Sequence, residues 1–249
     1  MYRVAFSIFG IDIMWYGILI ASGILLAVLV SSREASRLGY KEGQVTDICL
    51  FAVPLGIVGA RLYYVAFNWS QYAGDFREII NIRGGGLAIH GGILAGILTV
   101  WIYTRIKKLE FFKTADILVL GLPMAQAIGR WGNFINGEAH GGPTNLPWAI
   151  LVDGQRVHPT FLYESVWDWL IFIYIIMIRK NKKYEGQLLV DYIFLYSLGR
   201  FFIEGLRTDS LMLGPIRMAQ LISLVGILVA LVVRYFLLKR KALEKESGK

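Results

Sequence analysis

Seven apolar runs divide this chain, at about Trp15–Ser31, Thr46–Phe67, Gly85–Tyr103, Thr114–Ile135, Pro159–Ile178, Gln187–Ile203 and Ile216–Leu238. Runs of roughly 17–25 apolar residues match the hydrocarbon thickness of a bilayer. Hydrocarbon offers no partner to a peptide group, so a spanning backbone must satisfy itself as a helix or a closed barrel. Runs of this length predict helices, and the expected fold is an all-α polytopic membrane protein with about seven transmembrane helices. The hydrophobic share of 56% exceeds the roughly 45–50% of soluble domains. No polar linker is long enough to separate two folding units. Residues 1–249 are therefore expected to form one membrane domain, with short loops at about 68–83, 136–158 and 204–215.

The net charge of +8 would suit a nucleic-acid binder if it lay on one soluble face. It does not. Arg33, Arg37 and Lys41 follow the first run; Arg105, Lys107, Lys108 and Lys113 the third; Arg179, Lys180, Lys182 and Lys183 the fifth; Lys239, Arg240 and Lys241 the seventh. The positive-inside rule places those ends in the cytoplasm, with the N-terminus outside and the C-terminus inside. The basic balance reports topology, and no nucleic-acid partner is expected. The single cysteine, Cys49, excludes an intrachain disulfide, and His90, His140 and His158 have no metal-ligand spacing. No metal or cofactor is expected, nor a cleaved signal peptide, since no small-residue cleavage site precedes a soluble domain. The chain shows no inverted repeat of the transporter kind.

The fourth run ends in Gly129-Arg130-Trp131-Gly132-Asn133-Phe134-Ile135-Asn136-Gly137-Glu138-Ala139-His140-Gly141-Gly142. An unpaired arginine at the centre of a membrane helix costs about 2.5–3.5 kcal/mol on insertion scales, so such groups face polar cavities or charged partners. Arg130, Asn133 and Asn136/Gly137 recur at helical spacing and define a polar face. A guanidinium presents a planar donor fork that matches a phosphate. The residues alone predict a membrane helix whose outer end holds an anionic headgroup. A small-residue packing seam with a snorkelling arginine is the competing reading.

The sixth run carries Tyr196, Arg200 and Glu204 on one face, with Arg207 beyond. Arg200 either pairs with Glu204 alone or adds a second guanidinium at the depth of Arg130. Gly84-Gly85-Gly86-Leu87-Ala88-Ile89-His90-Gly91-Gly92 opens the third run, and His90 sits about a turn inside it, where an imidazole can accept a proton near neutral pH. Arg61 is expected to be structural, with a third cation or the partner of a carboxylate such as Glu164 as alternatives. Glu164 is expected in a pairing role. Tyr16 stands where an aromatic-belt residue would, and Asp116 reads as an acid at its own helix's N-terminus.

These blocks carry a resemblance. The central stretch, with Trp15-Tyr16-Gly17, Gly59-Ala60-Arg61, Gly85 to Gly92, His158-Pro159 to Leu162-Tyr163-Glu164, and Gly199-Arg200-Phe201 to Glu204, resembles the bacterial prolipoprotein diacylglyceryl transferases in block content and order. The resemblance implies transfer of the diacylglyceryl group of phosphatidylglycerol to the lipobox cysteine of a preprolipoprotein signal peptide. A thioether forms and glycerol phosphate leaves. It implies catalytic roles for His90, Arg130 and Arg200. Arg130, Arg200, Asn133, Tyr16 and Tyr196 would contact the headgroup, with Asn136, Gly137, Glu138, Gly141, Glu204 and Arg61 in support. It implies a bacterial cytoplasmic-membrane enzyme, acting as a monomer among membrane lipids, with its site toward the outer leaflet. The chain departs from some relatives at His140-Gly141-Gly142, where they carry a bulky aromatic, then Gly and a basic residue.

A non-catalytic transporter of anionic lipid is the alternative. It would need a polar path through the inner half, and the intramembrane charge gathers at one end of the spans. An intramembrane protease would want a Ser-His pair, an Asp-Asp pair or a His-Glu-x-x-His helix, and the chain has none of these in a span.

Overall fold

The computed structural model describes residues 3–82, 84–208 and 210–246. Arg83, beside the glycine-rich stretch, and Asp209, in the loop after Arg207, lie outside the described residues. Helices dominate. They are α1 (Trp15–Arg37), α2 (Gln44–Phe67), α3 (Trp69–Tyr72), α4 (Phe76–Ile80), α5 (Ile89–Lys107), α6 (Phe111–Val119), α7 (Leu122–Asn136), α8 (Thr160–Ile178), α9 (Gln187–Glu204) and α10 (Met218–Glu246).

Among the described residues, six stretches are long and apolar enough to cross a membrane: α1, α2, α5, Phe111–Asn136, α8 and Met218–Leu243. The protein is a multi-pass membrane protein. The sixth expected span, Gln187–Ile203, does form a helix, α9, of 18 residues. It falls outside the apolar set because it carries Asp191, Arg200 and Glu204. The fourth expected span is not one continuous helix. It breaks into α6 and α7 at Leu120-Gly121. Pro123, in the first turn of α7, has no N–H to continue α6.

Among the described residues, three short antiparallel hairpins interrupt the all-α pattern: β1 (Val4–Ile8) with β2 (Ile11–Met14), β3 (Ile150–Val152) with β4 (Gln155–Val157), and β5 (Met212–Leu213) with β6 (Ile216–Arg217). The second turns at Asp153-Gly154, both with positive φ (48° and 79°). That is the dipeptide a two-residue hairpin loop prefers. The stretch expected as a polar loop at 68–83 holds α3 and α4, the latter started by Asp75, whose carboxylate accepts from the backbone of Arg77 and Glu78.

The chain divides into two compact units, Met1–Ser31 with Asp116–Lys249, and Ser32–Ala115. In the smaller unit α2 packs on α5. Their backbones meet at Gly59 and Gly91: a Cβ on Gly91 would lie 2.3 Å from the Gly59 carbonyl oxygen. Close approach of this kind is how membrane helices gain dispersion contact where lipid is as apolar as they are. In the larger unit α7 packs on α8, α8 on α9 and α9 on α10. Val119, Leu120, Ile171, Ile175, Leu188 and Tyr192 form its buried apolar cluster.

Asp116 corrects an expectation. It is buried and serves another helix, accepting from the backbone of Gly186 (2.9 Å) and Leu189 (3.0 Å) at the start of α9 and from Lys182 Nζ (2.9 Å). The N-terminus of a helix leaves its first amides unpaired and partly positive, and this carboxylate satisfies two of them. Burial alone would lower the pKa of Lys182. Its hydrogen bond to Glu185 and the charge of Asp116 outweigh that and raise it.

Candidate functional site

Arg130, Arg200 and Arg207, all in the larger unit, converge on one carboxylate. Glu164, on α8, is 4% exposed. Its Oε2 lies 2.6 Å from Arg130 Nε of α7, its Oε1 pairs with Arg200 Nη1 of α9, and Arg207 Nη1 is 3.7 Å from Oε1. Arg200 also reaches Glu204, Nη2 to Oε2 at 2.6 Å, and Arg207 Nε is 4.0 Å from the same oxygen. Arg217 donates to the Glu204 backbone carbonyl at 2.5 Å. Three helices and the turn after α9 therefore meet through guanidiniums and carboxylates. Arg130 adds a contact with the Tyr196 hydroxyl, Nη2 to OH at 3.3 Å.

The ion pairs are close but not saturated. Glu164 Oε2 and Glu204 Oε2 are buried with no aligned hydrogen-bond donor among the described residues, and so is Asp168 Oδ2 one turn along α8. The guanidinium edges are not equally engaged. Arg200 has both Nη atoms on carboxylates, whereas Arg130 meets its carboxylate through Nε and only Tyr196 through Nη2. Arg200 is therefore the more fully braced of the two, and Arg130 has less of its donor fork on carboxylates.

The backbone around the cluster is specified locally. Gly137, at φ 73°, ends α7 in the left-handed region, where a side chain would cost roughly 1–2 kcal/mol. The amides of Gly137 and Glu138 close back onto the carbonyls of Phe134 and Asn133, the paired pattern that satisfies a helix C-terminus. The chain then runs beneath its neighbours. Gly141 donates to the His158 carbonyl (2.8 Å), Gly142 to that of Leu206 (3.0 Å), and Thr160 Oγ1 to that of Ala139 (2.5 Å). The end of α7, the start of α8 and the Arg207 turn are thereby tied together. Arg3 Nη2 donates to the Asn136 carbonyl at 2.9 Å. Tyr16, at the start of α1, lies against Gly132, where a Cβ would come within 2.5 Å of its ring. Gly199 leaves room for Trp167, whose indole N–H donates to the Leu195 carbonyl at 2.9 Å and pins α8 to α9 one residue before Arg200.

Residues 3–236 match the family model described as prolipoprotein diacylglyceryl transferase. The chain is 63% identical over 240 residues to the phosphatidylglycerol–prolipoprotein diacylglyceryl transferase of Clostridioides difficile strain 630, covering 96% of this chain and 97% of that protein. It is 52% identical over 248 residues to the protein of the same name from Finegoldia magna, covering 99% and 100%. The chain belongs to the prolipoprotein diacylglyceryl transferase family.

For this transferase family member, the structure brings Arg130, Arg200, Glu204 and Tyr196 into one cluster and sets Tyr16 against α7. Asn133, Asn136, Gly137 and Glu138 shape the end of α7. The side chains of Asn133 and Glu138 make no hydrogen bond among the described residues, and Gly141 acts through its backbone. His90 and Arg61 belong to the smaller unit. The His90 ring neighbours Tyr63, centroids 6.1 Å apart, and makes no hydrogen bond among the described residues.

Arg61 finds its partners within the smaller unit, as its expected structural role requires. It is 5% exposed, and its guanidinium donates to the carbonyls of Ile79 (2.9 Å), Glu78 (2.5 Å), Gly85 (2.8 Å) and Gly86 (3.0 Å). It also stands over the Tyr72 ring, 4.9 Å from the centroid. Its role is to close the polar backbone around α4 and the glycine-rich stretch.

Two residues were undervalued. Glu164 reads in sequence as a simple pairing acid, and Asp168 does not stand out at all. Both are 4% exposed or less. The available signal was their spacing: two carboxylates four residues apart share one face of a membrane helix, and an intramembrane acid needs a partner.

Proposed function

We propose that this chain transfers the diacylglyceryl group of phosphatidylglycerol to the thiol of a preprolipoprotein's lipobox cysteine, the first step of lipoprotein maturation. The observation that carries the reading is the pair Arg130 and Arg200, on the two helices α7 and α9 that pack on α8, sharing Glu164. The donor lipid is anionic, and the leaving glycerol phosphate gains charge as the carbon–oxygen bond breaks. Fixed guanidiniums stabilise that charge more as it develops than in the ground state, which is the condition for accelerating a step. Arg130 is the principal phosphate fork, Arg200 its braced companion, and Tyr196, Tyr16 and Asn133 border the headgroup.

The nucleophile is the substrate's own sulfur, so Cys49 has no part. A free thiol ionises near pH 8.5 and reacts as thiolate. Carbon–sulfur bond formation releases its proton, and His90 is the group of suitable chemistry to accept it. The chain works as one monomeric catalytic body in the bacterial cytoplasmic membrane, with the N-terminus outside and the arginine site toward the outer leaflet. The basic clusters after alternate spans support that orientation.

The test uses purified protein with phosphatidylglycerol and a synthetic lipobox peptide, read by the mass of the cysteine. A diacylglyceryl gain that disappears in Arg130→Ala is expected. Activity kept by His90→Ala would remove it as the obligatory proton acceptor. No gain from a folded, lipid-supplied wild type would overturn the reading in favour of lipid transport.

A further inference from the structure

The arginine pair that would bind phosphate is already bound to an anion, the carboxylate of Glu164. Two of its contacts go to the guanidiniums of Arg130 on α7 and Arg200 on α9, and a third approaches from Arg207. We propose that Glu164 is the positioning residue of this site: a resident counter-anion that holds Arg130 and Arg200 in register and competes with phosphate, so that the site releases its phosphorylated product. The inference rests on the transferase reading for its substrate and product.

Three observations support it. Glu164 is the one described carboxylate that pairs with arginines on both neighbouring helices, whereas Glu204 pairs only with Arg200 on its own helix and Arg207 just beyond it. Its Oε2 meets Arg130 through Nε without hydrogen-bond alignment, so the contact orients the guanidinium while engaging the phosphate-sized Nη edge little. It is also buried, where water screens little and a second anion competes strongly for the same cations.

The chemistry explains why such a competitor would be kept. Phosphatidylglycerol arrives as a monoanionic diester, and glycerol phosphate leaves as a monoester carrying more charge. A bare pair of partly buried guanidiniums would hold the product more tightly than the substrate. A carboxylate fixed between them lowers affinity for both and most for the product, while keeping the two forks where the developing charge will be. Neutralising it should therefore tighten ground-state binding and slow turnover together, the pattern of a lost positioning interaction rather than of lost binding.

The experiment compares wild type, Glu164→Gln and Glu164→Asp as full-length protein in lipid nanodiscs. Transfer is measured against phosphatidylglycerol concentration, with glycerol phosphate added as inhibitor, and thermal unfolding is followed in parallel. In Glu164→Gln the expected result is kcat lower by about tenfold, the scale of one charge-assisted hydrogen bond. The KM for phosphatidylglycerol should fall several-fold and inhibition by glycerol phosphate should tighten. Glu164→Asp keeps the charge on a shorter arm and should keep the wild-type KM and inhibition while losing kcat; it carries the test if the glutamine variant does not fold. A lower unfolding temperature with KM and inhibition unchanged in Glu164→Gln would overturn the proposal and leave a purely structural ion pair, and so would a raised KM. If wild type transfers nothing, the transferase reading fails separately, and glycerol phosphate binding by calorimetry decides here: tighter in Glu164→Gln supports the counter-anion, equal or weaker binding overturns it.

Discussion

Arg61 and Arg130 are both arginines on apolar helices, and their partners divide them. Arg61 gives its guanidinium to four backbone carbonyls. Arg130 meets a carboxylate through one nitrogen and a tyrosine hydroxyl through another. Carbonyls cannot leave without unravelling the chain that bears them, so Arg61 is committed to structure. A carboxylate can yield to another anion, which is the basis for proposing Arg130 as the ligand's partner. The charge is the same, and what faces it sets the role. Buried arginines in a membrane protein are better sorted by partner type than by depth.

That contrast can be broken in order of expected effect. Arg130→Ala should abolish measurable transfer with the protein still folded, and Arg130→Lys should recover little, because an ammonium lacks the planar fork; recovery above a tenth of wild-type kcat/KM would weaken the fork argument. Arg61→Leu should do the reverse. It removes several hydrogen bonds from a charged donor, worth about 1.5–3 kcal/mol each, so yield and unfolding temperature should collapse while the surviving folded fraction keeps its KM. Gly199→Ala lies between. Its Cβ would fall 2.1 Å from the Trp167 indole nitrogen, and overpacking typically costs about 1–3 kcal/mol. Because Arg200 follows directly, transfer should drop further than unfolding temperature, which assay and melting curve together would show. Asp116→Asn should be the mildest, weakening the start of α9 by about 1–2 kcal/mol with an unchanged KM for phosphatidylglycerol.

The helical membrane character was legible because apolar length is dictated by the bilayer and survives without alignment or partner. Arg130, Arg200 and Glu204 were legible because a charge inside an apolar run demands an explanation. Other features were hidden for physical reasons. The six-against-seven spans turn on α9, whose Asp191, Arg200 and Glu204 lower its hydropathy, the last two while building the charged cluster. The break at Leu120-Gly121 was signalled by Pro123 but masked by continuous hydrophobicity. The Asp153-Gly154 hairpin carried a clear turn dipeptide inside a stretch expected to be irregular. Asp116 was assigned to its own helix because a carboxylate's long-range partner, here the amides of Gly186 and Leu189, leaves no local mark. Glu164 read as a pairing acid, and its junction role emerges only when three elements converge on it.

The central claim is that the carboxylate-bound arginine, not the carbonyl-bound one, takes the lipid phosphate. The direct measurement is the affinity of folded wild type, Arg130→Gln and Arg61→Gln for phosphatidylglycerol, by native mass spectrometry from nanodiscs of fixed lipid composition. The account predicts a loss of about tenfold or more for Arg130→Gln, the weight of one charge-assisted contact, and near wild-type affinity in whatever Arg61→Gln remains folded. Equal losses in both, or a loss confined to Arg61→Gln, would contradict it.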